Sequence, residues 1–143
     1  VIRIVHHFYS CLLAAEPFYL GVMGSIAGFM SSPLFAVYGA SKAALKIFIE
    51  SVNVELEMAG TENRILNVSP GSIKGTAFYN GVTDLSVTTA LAEEIIAHLR
   101  SHDDLFIPQY DDIFRTVLER YHTDFRAEGR HSYEYKMQSG RLK

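Results

Sequence analysis

The chain has 143 residues, a net charge of −3 and 48% hydrophobic residues, which suits one soluble globular unit with a real core and excludes a disordered segment. Its slight acidity supplies no basic stripe of the kind phosphate neutralisation needs, so nucleic acid is not an expected partner. A single cysteine, Cys11, cannot form an intrachain disulfide and gives no sign of an oxidising compartment, so the expected location is cytoplasmic.

From Ile2 to about Ala15, Ile4, Val5, Phe8, Cys11, Leu12 and Ala15 recur at three- and four-residue spacings, which predicts an amphipathic helix ended by Pro17. This run carries His6 and His7 and is interrupted by Glu16, so it is neither a spanning helix nor a signal peptide, and no membrane anchor is expected. The opening at Val1, directly in a helical pattern, reads as a chain cut from something longer. Phe18 to Met23 is short, apolar and β-compatible, and reads as a buried strand that finishes at Gly24 and Ser25. Ser25 would then stand at a strand's carboxyl end, the edge where open α/β sheets bind ligands.

Gly28 to Leu34 has a loop composition, and a long helix follows from about Val37 to Ala59, stopped by Gly60. Apolar residues occupy more than one face of it: one face covers the sheet, and another is expected to meet a second subunit. Arg64 to Ser69 is the second strand, stopped by the Pro70-Gly71 turn. Helix then strand, twice over, predicts parallel crossover units. The loop Gly71 to Thr83 reads as a mobile lid. Leu91, Ala92, Ile95, Ile96 and Leu99 form a helical stripe ended near Ser101, Leu105 to Tyr110 is a third strand with Pro108 in it, and Asp111 or Asp112 is the expected cap of a final helix carrying Ile113, Phe114, Val117, Leu118 and Tyr121. The tail from Phe125 to Lys143 is expected to pack on the body or on a partner subunit. The chain reads as one domain, residues 1–143, and is expected to be an incomplete one.

The chemistry is concentrated in Ser25 to Lys42. Tyr38 and Lys42 lie four residues apart, so both side chains leave one helical face about one turn apart. A phenol is a poor acid or base at neutral pH, and a neighbouring ammonium favours its ionised form. Tyr-x-x-x-Lys alone is an ordinary surface pair. Its weight comes from the company it keeps: Ser25 thirteen residues upstream after a strand, an alanine-rich helix beyond Lys42, and Pro70-Gly71 after the next strand.

On Ser25-Ile26-Ala27-Gly28, Tyr38-Gly39-Ala40-Ser41-Lys42-Ala43-Ala44 and Ser69-Pro70-Gly71, the chain resembles the catalytic half of the classical short-chain dehydrogenase/reductase family, from its start to about Tyr110. The resemblance implies an α/β fold, the C-terminal half of a three-layer, doubly wound Rossmann-like domain with a parallel sheet. It also implies an oxidoreductase that moves hydride between NAD or NADP and a small-molecule alcohol or carbonyl compound. Tyr38 would be the general acid or base, Lys42 would favour its phenolate and bond the nicotinamide ribose, and Ser25 would hold the substrate oxygen. Pro70 and Gly71 would lie against the nicotinamide, the backbone of Ile73 would hold its carboxamide, and Thr76 would match a cofactor-contacting threonine, although the Lys74-Gly75 pair sets it one position late. The family's glycine-rich turn, Thr-Gly-x-x-x-Gly-x-Gly, is absent from the sequence, so this chain alone is expected to bind a dinucleotide poorly.

Plainer readings hold elsewhere. His98 and His102 have metal-ligand spacing but no third ligand in the sequence, and with His6 and His7 they read as surface histidines, so no metal is expected. The acid pairs Glu93-Glu94, Asp103-Asp104 and Asp111-Asp112 read as solvated faces and caps. Cys11 is a small apolar helix residue, and Ser41 is expected to face away from the site. Phe29, Met30, Phe78 and Tyr79 point to an apolar pocket. Two other functions fit part of the pattern. One is a non-catalytic dimerisation or scaffold module held by the helix 37–59, with a homodimer or homotetramer as the expected assembly in either case. The other is a sugar-nucleotide epimerase or dehydratase, against which stands the short sequence after Pro70-Gly71.

Overall fold

The structure is a computed structural model and describes residues 1–76 and 84–139. Phe78, Tyr79 and most of the expected lid therefore lie outside the described residues. Three parallel strands, β1 (Leu20–Met23), β2 (Ile65–Val68) and β3 (Leu105–Phe106), form one sheet in the order β1-β2-β3. Leu20 pairs with Ile65 and Met23 with Val68, while Asn67 and Val68 pair with Leu105 and Phe106. All four residues of β2 are buried, as a central strand covered on both faces requires.

Helices α1 (Ile2–His7), α2 (Tyr9–Leu13) and α3 (Ala36–Met58) lie on one face, where Val5, Leu12, Ile49, Val52 and Leu56 close over Val22 and Ile65. Each such aliphatic side chain contributes about 1.5–3 kcal/mol when fully buried. Helix α4 (Thr89–Arg100) covers the other face, with the Leu99 side chain 3.3 Å from where a β-carbon on Gly21 would stand. The architecture is α/β with a parallel sheet between helical layers, as the sequence predicts.

Several boundaries differ from the sequence reading. The single helix expected over residues 2–15 bends out of helical angles at Phe8 (φ −97°, ψ 11°) and ends at Leu13. Side chains from across the fold take its terminal carbonyls: Thr61 Oγ1 donates to Leu12 O (3.1 Å), and Asn63 Nδ2 to Ala14 O and Glu16 O (3.0 Å each). Asn63 Oδ1 in turn accepts from Phe18 N (2.8 Å), which keeps Phe18 out of the ladder and starts β1 at Leu20. β3 stops after two residues, before Pro108, which has no amide to donate, and Gln109, which is left-handed (φ 60°).

The acidic pairs do more than face solvent. Asp104 accepts from Asn53 Nδ2 (2.8 Å), and the same nitrogen also donates to Ile65 O (2.9 Å), joining α3 to the sheet. Neither Asp111 nor Asp112 caps a helix. Both lie in a π-helical turn, Tyr110–Phe114, that leads into α5 (Arg115–Thr123), and Asp111 pairs with Arg115. The capping acid is Asp124, which accepts from the amides of Arg126 (2.9 Å) and Ala127 (3.0 Å) to start α6 (Phe125–Gln138). Those amide bonds, Ala127's first, hold its carboxyl below the usual range.

Asn63 is 3% exposed and its bonds fix both the end of α2 and the entry to β1. Asn63→Ala leaves those buried groups unpaired, and we expect a loss of about 3 kcal/mol of unfolding free energy by urea titration. A loss below about 1 kcal/mol would contradict this role for the side chain.

Candidate active site

The segments singled out in the sequence meet at the carboxyl edge of the sheet. Past Met23, Gly24 N donates to Val68 O (2.7 Å) and Ile26 N to Pro70 O (3.0 Å), so the chain leaving β1 runs beside the chain leaving β2. Gly24 is required there, because a β-carbon would stand 2.2 Å from Asn67 Oδ1 and 2.5 Å from Ser69 Oγ.

Ser25 is buried and extended, and its Oγ accepts from Ala27 N (3.2 Å), capping a 3₁₀ turn over Ile26–Gly28. A hydroxyl that accepts from a backbone amide keeps its own proton to donate. The turn is pressed against α3 backbone to backbone. A β-carbon on Gly28 would stand 2.8 Å from the Lys42 carbonyl oxygen, and one on Gly39 would stand 3.3 Å from the Ala27 carbonyl oxygen. Ser25 is thereby carried to the stretch of α3 that holds Tyr38 and Lys42.

Tyr38 is half-buried in the first turn of α3, and Lys42 Nζ lies 5.7 Å from the centroid of its ring. The helical spacing therefore brings cation and phenol together as predicted. Lys42 Nζ also donates to Met23 O (2.8 Å), the last carbonyl of β1, a contact across 19 residues that the sequence did not announce. Ser41 Oγ donates to Tyr38 O (2.7 Å) on the exposed side of the helix.

Pro70 is buried and Gly71 half-buried in the turn after β2. The ring of Phe114 lies against Gly71, with Cζ 2.5 Å from where a β-carbon would be. Ile73 is half-buried, and Thr76 Oγ1 donates to Ile73 O (2.8 Å), so that hydroxyl proton is spent within its own turn. Phe29 and Met30 line a groove of about 470 Å³ with Ala36, Ala40, Ala43 and Tyr121. The three alanines recur on a face of α3 different from that of Tyr38 and Lys42, so the apolar pocket expected from Phe29 and Met30 lies away from the phenol.

His6 and His7 are exposed as expected, whereas His98 and His102 are half-buried. The His98 ring stacks on Phe106 (4.1 Å) with Nδ1 2.6 Å from Asp103 Oδ2, and His102 stacks on Tyr19 (5.0 Å). No group of metal-ligating side chains occurs among the described residues. No helix among them is long and apolar enough to cross a membrane.

A family model described as short chain dehydrogenase matches residues 19–101. The chain belongs to the short-chain dehydrogenase family. It is 30% identical over 122 residues to a protein named short-chain dehydrogenase RED1 of Pyricularia oryzae, an alignment covering 81% of this chain and 42% of that protein. It is 31% identical over 106 residues to short-chain dehydrogenase srdE of Neurospora crassa, covering 71% of this chain and 36% of the relative. The chain thus spans less than half the length of either family member. No solved structure gave a significant match.

Gly28→Ala forces its new methyl group into the Lys42 carbonyl, where neither backbone can give way cheaply. We expect a loss of roughly 1–3 kcal/mol, seen as a lowered Tm. A Tm equal to the wild-type value would show that the turn and α3 are not held in contact.

Proposed function

We propose that this chain supplies the catalytic residues of a nicotinamide-dependent oxidoreductase acting on an alcohol or carbonyl compound. The observation that carries the reading is that Lys42 Nζ stands over the Tyr38 ring and bonds the last carbonyl of the strand that leads to Ser25, whose exit runs beside the Pro70-Gly71 turn, in a chain of this family.

The residues present fit the nicotinamide and ribose end of NAD or NADP. An ammonium and a phenol stand at the sheet edge, and the Pro70-Gly71 turn, with the Phe114 ring against Gly71, follows the next strand. Lys42 and Tyr38 would hold the ribose, and Pro70, Gly71 and the backbone of Ile73 would hold the nicotinamide. Thr76 is the weakest of the assigned contacts, since its proton already has an acceptor. When bound, the cofactor supplies or accepts the hydride.

The chain's own residues manage the proton. Ser25 donates its hydroxyl proton in a hydrogen bond to the substrate oxygen and fixes that oxygen in place. Tyr38 gives its phenolic proton to the same oxygen as carbonyl becomes alcohol, and takes it back in the reverse direction. Lys42 favours the phenolate left on Tyr38 by its charge, and its bond to Met23 O keeps the ammonium from swinging away.

The α3 surface supports a homo-oligomer, dimer or tetramer, as the assembly: Val37 and Met58 are 86% and 83% exposed, with Ile47 and Val54 exposed between them. The same stripe favours the second reading, a non-catalytic dimerisation or scaffold module. Titration of the complete protein with NADH and NADPH separates the two, since tight binding of either cofactor sinks the scaffold reading and binding of neither sinks the oxidoreductase reading. The single cysteine supports a cytoplasmic location.

Tyr38→Phe in the complete protein removes the proton carrier and keeps the ring. We expect turnover to fall by about 10²- to 10⁴-fold with cofactor affinity nearly unchanged, measured by steady-state kinetics and cofactor titration. Turnover equal to wild type would remove Tyr38 from the proposed role.

A further inference from the structure

We propose that the C-terminal helical segment acts as a two-point clamp on the candidate active site, with Lys136 and Phe114 as positioning residues; the catalytic part of this inference rests on the oxidoreductase reading. The first contact crosses more than a hundred residues. Lys136 Nζ on α6 donates to Ser32 Oγ (2.9 Å) and to Pro33 O (3.0 Å), and lies 5.4 Å from the centroid of the Phe35 ring. All three partners lie between Ser25 and Tyr38, and Phe35 is the residue from which α3 starts. Leu34 between them is left-handed (φ 70°), a conformation costly to a branched side chain and kept only where its surroundings impose it. Gly129 brings the same helix close to this loop, with its β-carbon position 3.5 Å from Ser31 Oγ and 3.9 Å from Pro33 Cγ.

The second contact is the Phe114 ring on Gly71, at the turn assigned to the nicotinamide. Phe114 ends the π-helical turn Tyr110–Phe114, which is entered through left-handed Gln109. Single π turns and forced backbone angles recur where a side chain must be aimed at a site. The two contacts are joined, because Arg120 Nε on α5 pairs with the buried Glu128 of α6 at 2.7 Å. The family match ends at residue 101, so both contacts come from a segment beyond the part of the chain that the family model describes. The clamp sets how far apart the Ser25 loop, the start of α3 and the Pro70-Gly71 turn are held.

Hydrogen exchange on the complete protein tests this. The amides of Phe29, Phe35 and Gly39 are bonded to the carbonyls of Ile26, Ser32 and Phe35. Lys136→Met should speed their exchange roughly tenfold while the amides of β2 keep their wild-type rates. Lys136→Arg should restore slow exchange, because a guanidinium can donate to the same two oxygens. Phe114→Leu should act in the same way on residues 71–76 only. In a hydride-transfer assay, Lys136→Met should lower kcat with the cofactor KM unchanged, and Lys136→Arg should recover it. Unchanged exchange at residues 29–39 in Lys136→Met overturns the clamp, and so does faster exchange throughout β2, which marks a merely global loss of stability. A wild-type protein with no hydride transfer overturns the oxidoreductase reading instead, while the exchange rates still decide the clamp.

Discussion

The arrangement depends on one close approach, that of the 3₁₀ turn Ile26–Gly28 to the backbone of α3. Without a side chain at Gly28 the two backbones can meet at the Lys42 carbonyl, and Gly39 allows the same at the Ala27 carbonyl. A contact of this kind has little play, because neither partner is a flexible side chain that can swing aside. It fixes the distance from Ser25 to the turn of α3 that carries Tyr38 and Lys42. The bonds from Gly24 and Ile26 to Val68 and Pro70 then bring the second strand's exit to the same place.

Buried amide side chains hold the layers that make this approach possible. Asn53 spans from α3 to β2 through both its oxygen and its nitrogen, accepting from Ile65 N and donating to Ile65 O (2.9 Å each). Asn63 ties the end of α2 to the entry of β1. Each sits among aliphatic residues, where an unpaired polar group would be costly and a fully paired one selects a single geometry. Apolar packing of Val22, Ile49, Val52 and Ile65 supplies the cohesion. The asparagines decide where each element begins and ends.

The C-terminal segment relates differently to the family core. Its own cohesion is modest, resting on the Arg120 to Glu128 pair and on the Asp124 cap, and most of its surface is exposed. What it offers the rest of the molecule is contact with two loops at the ligand edge. Loops of that kind have few internal bonds, so a small number of outside contacts can set their conformation.

Much of the candidate site's local geometry was legible in the sequence because its determinants are local. The four-residue spacing of Tyr38 and Lys42, the glycine and serine after the first strand, and the Pro70-Gly71 turn all act within a few bonds of themselves. The parallel sense followed from alternation of helix and strand, and the hydrophobic runs located the strands, α3 and α4 to within a few residues, whereas α6 was legible only as a tail. The rest depended on distance along the chain. Lys42 meeting Met23, Asn63 taking the α2 carbonyls, Phe114 covering Gly71 and Lys136 reaching Ser32 join residues that no periodicity connects. Asn53 alone left a trace, as a polar residue in the inward stripe of Ile49, Val52 and Leu56. The sequence by itself determined which groups are candidates for the chemistry and which helix face presents Tyr38 and Lys42, since covalent spacing and backbone period suffice for that. Only the tertiary structure decided which loops those groups face and what holds the loops still, because such contacts exist once the layers have packed.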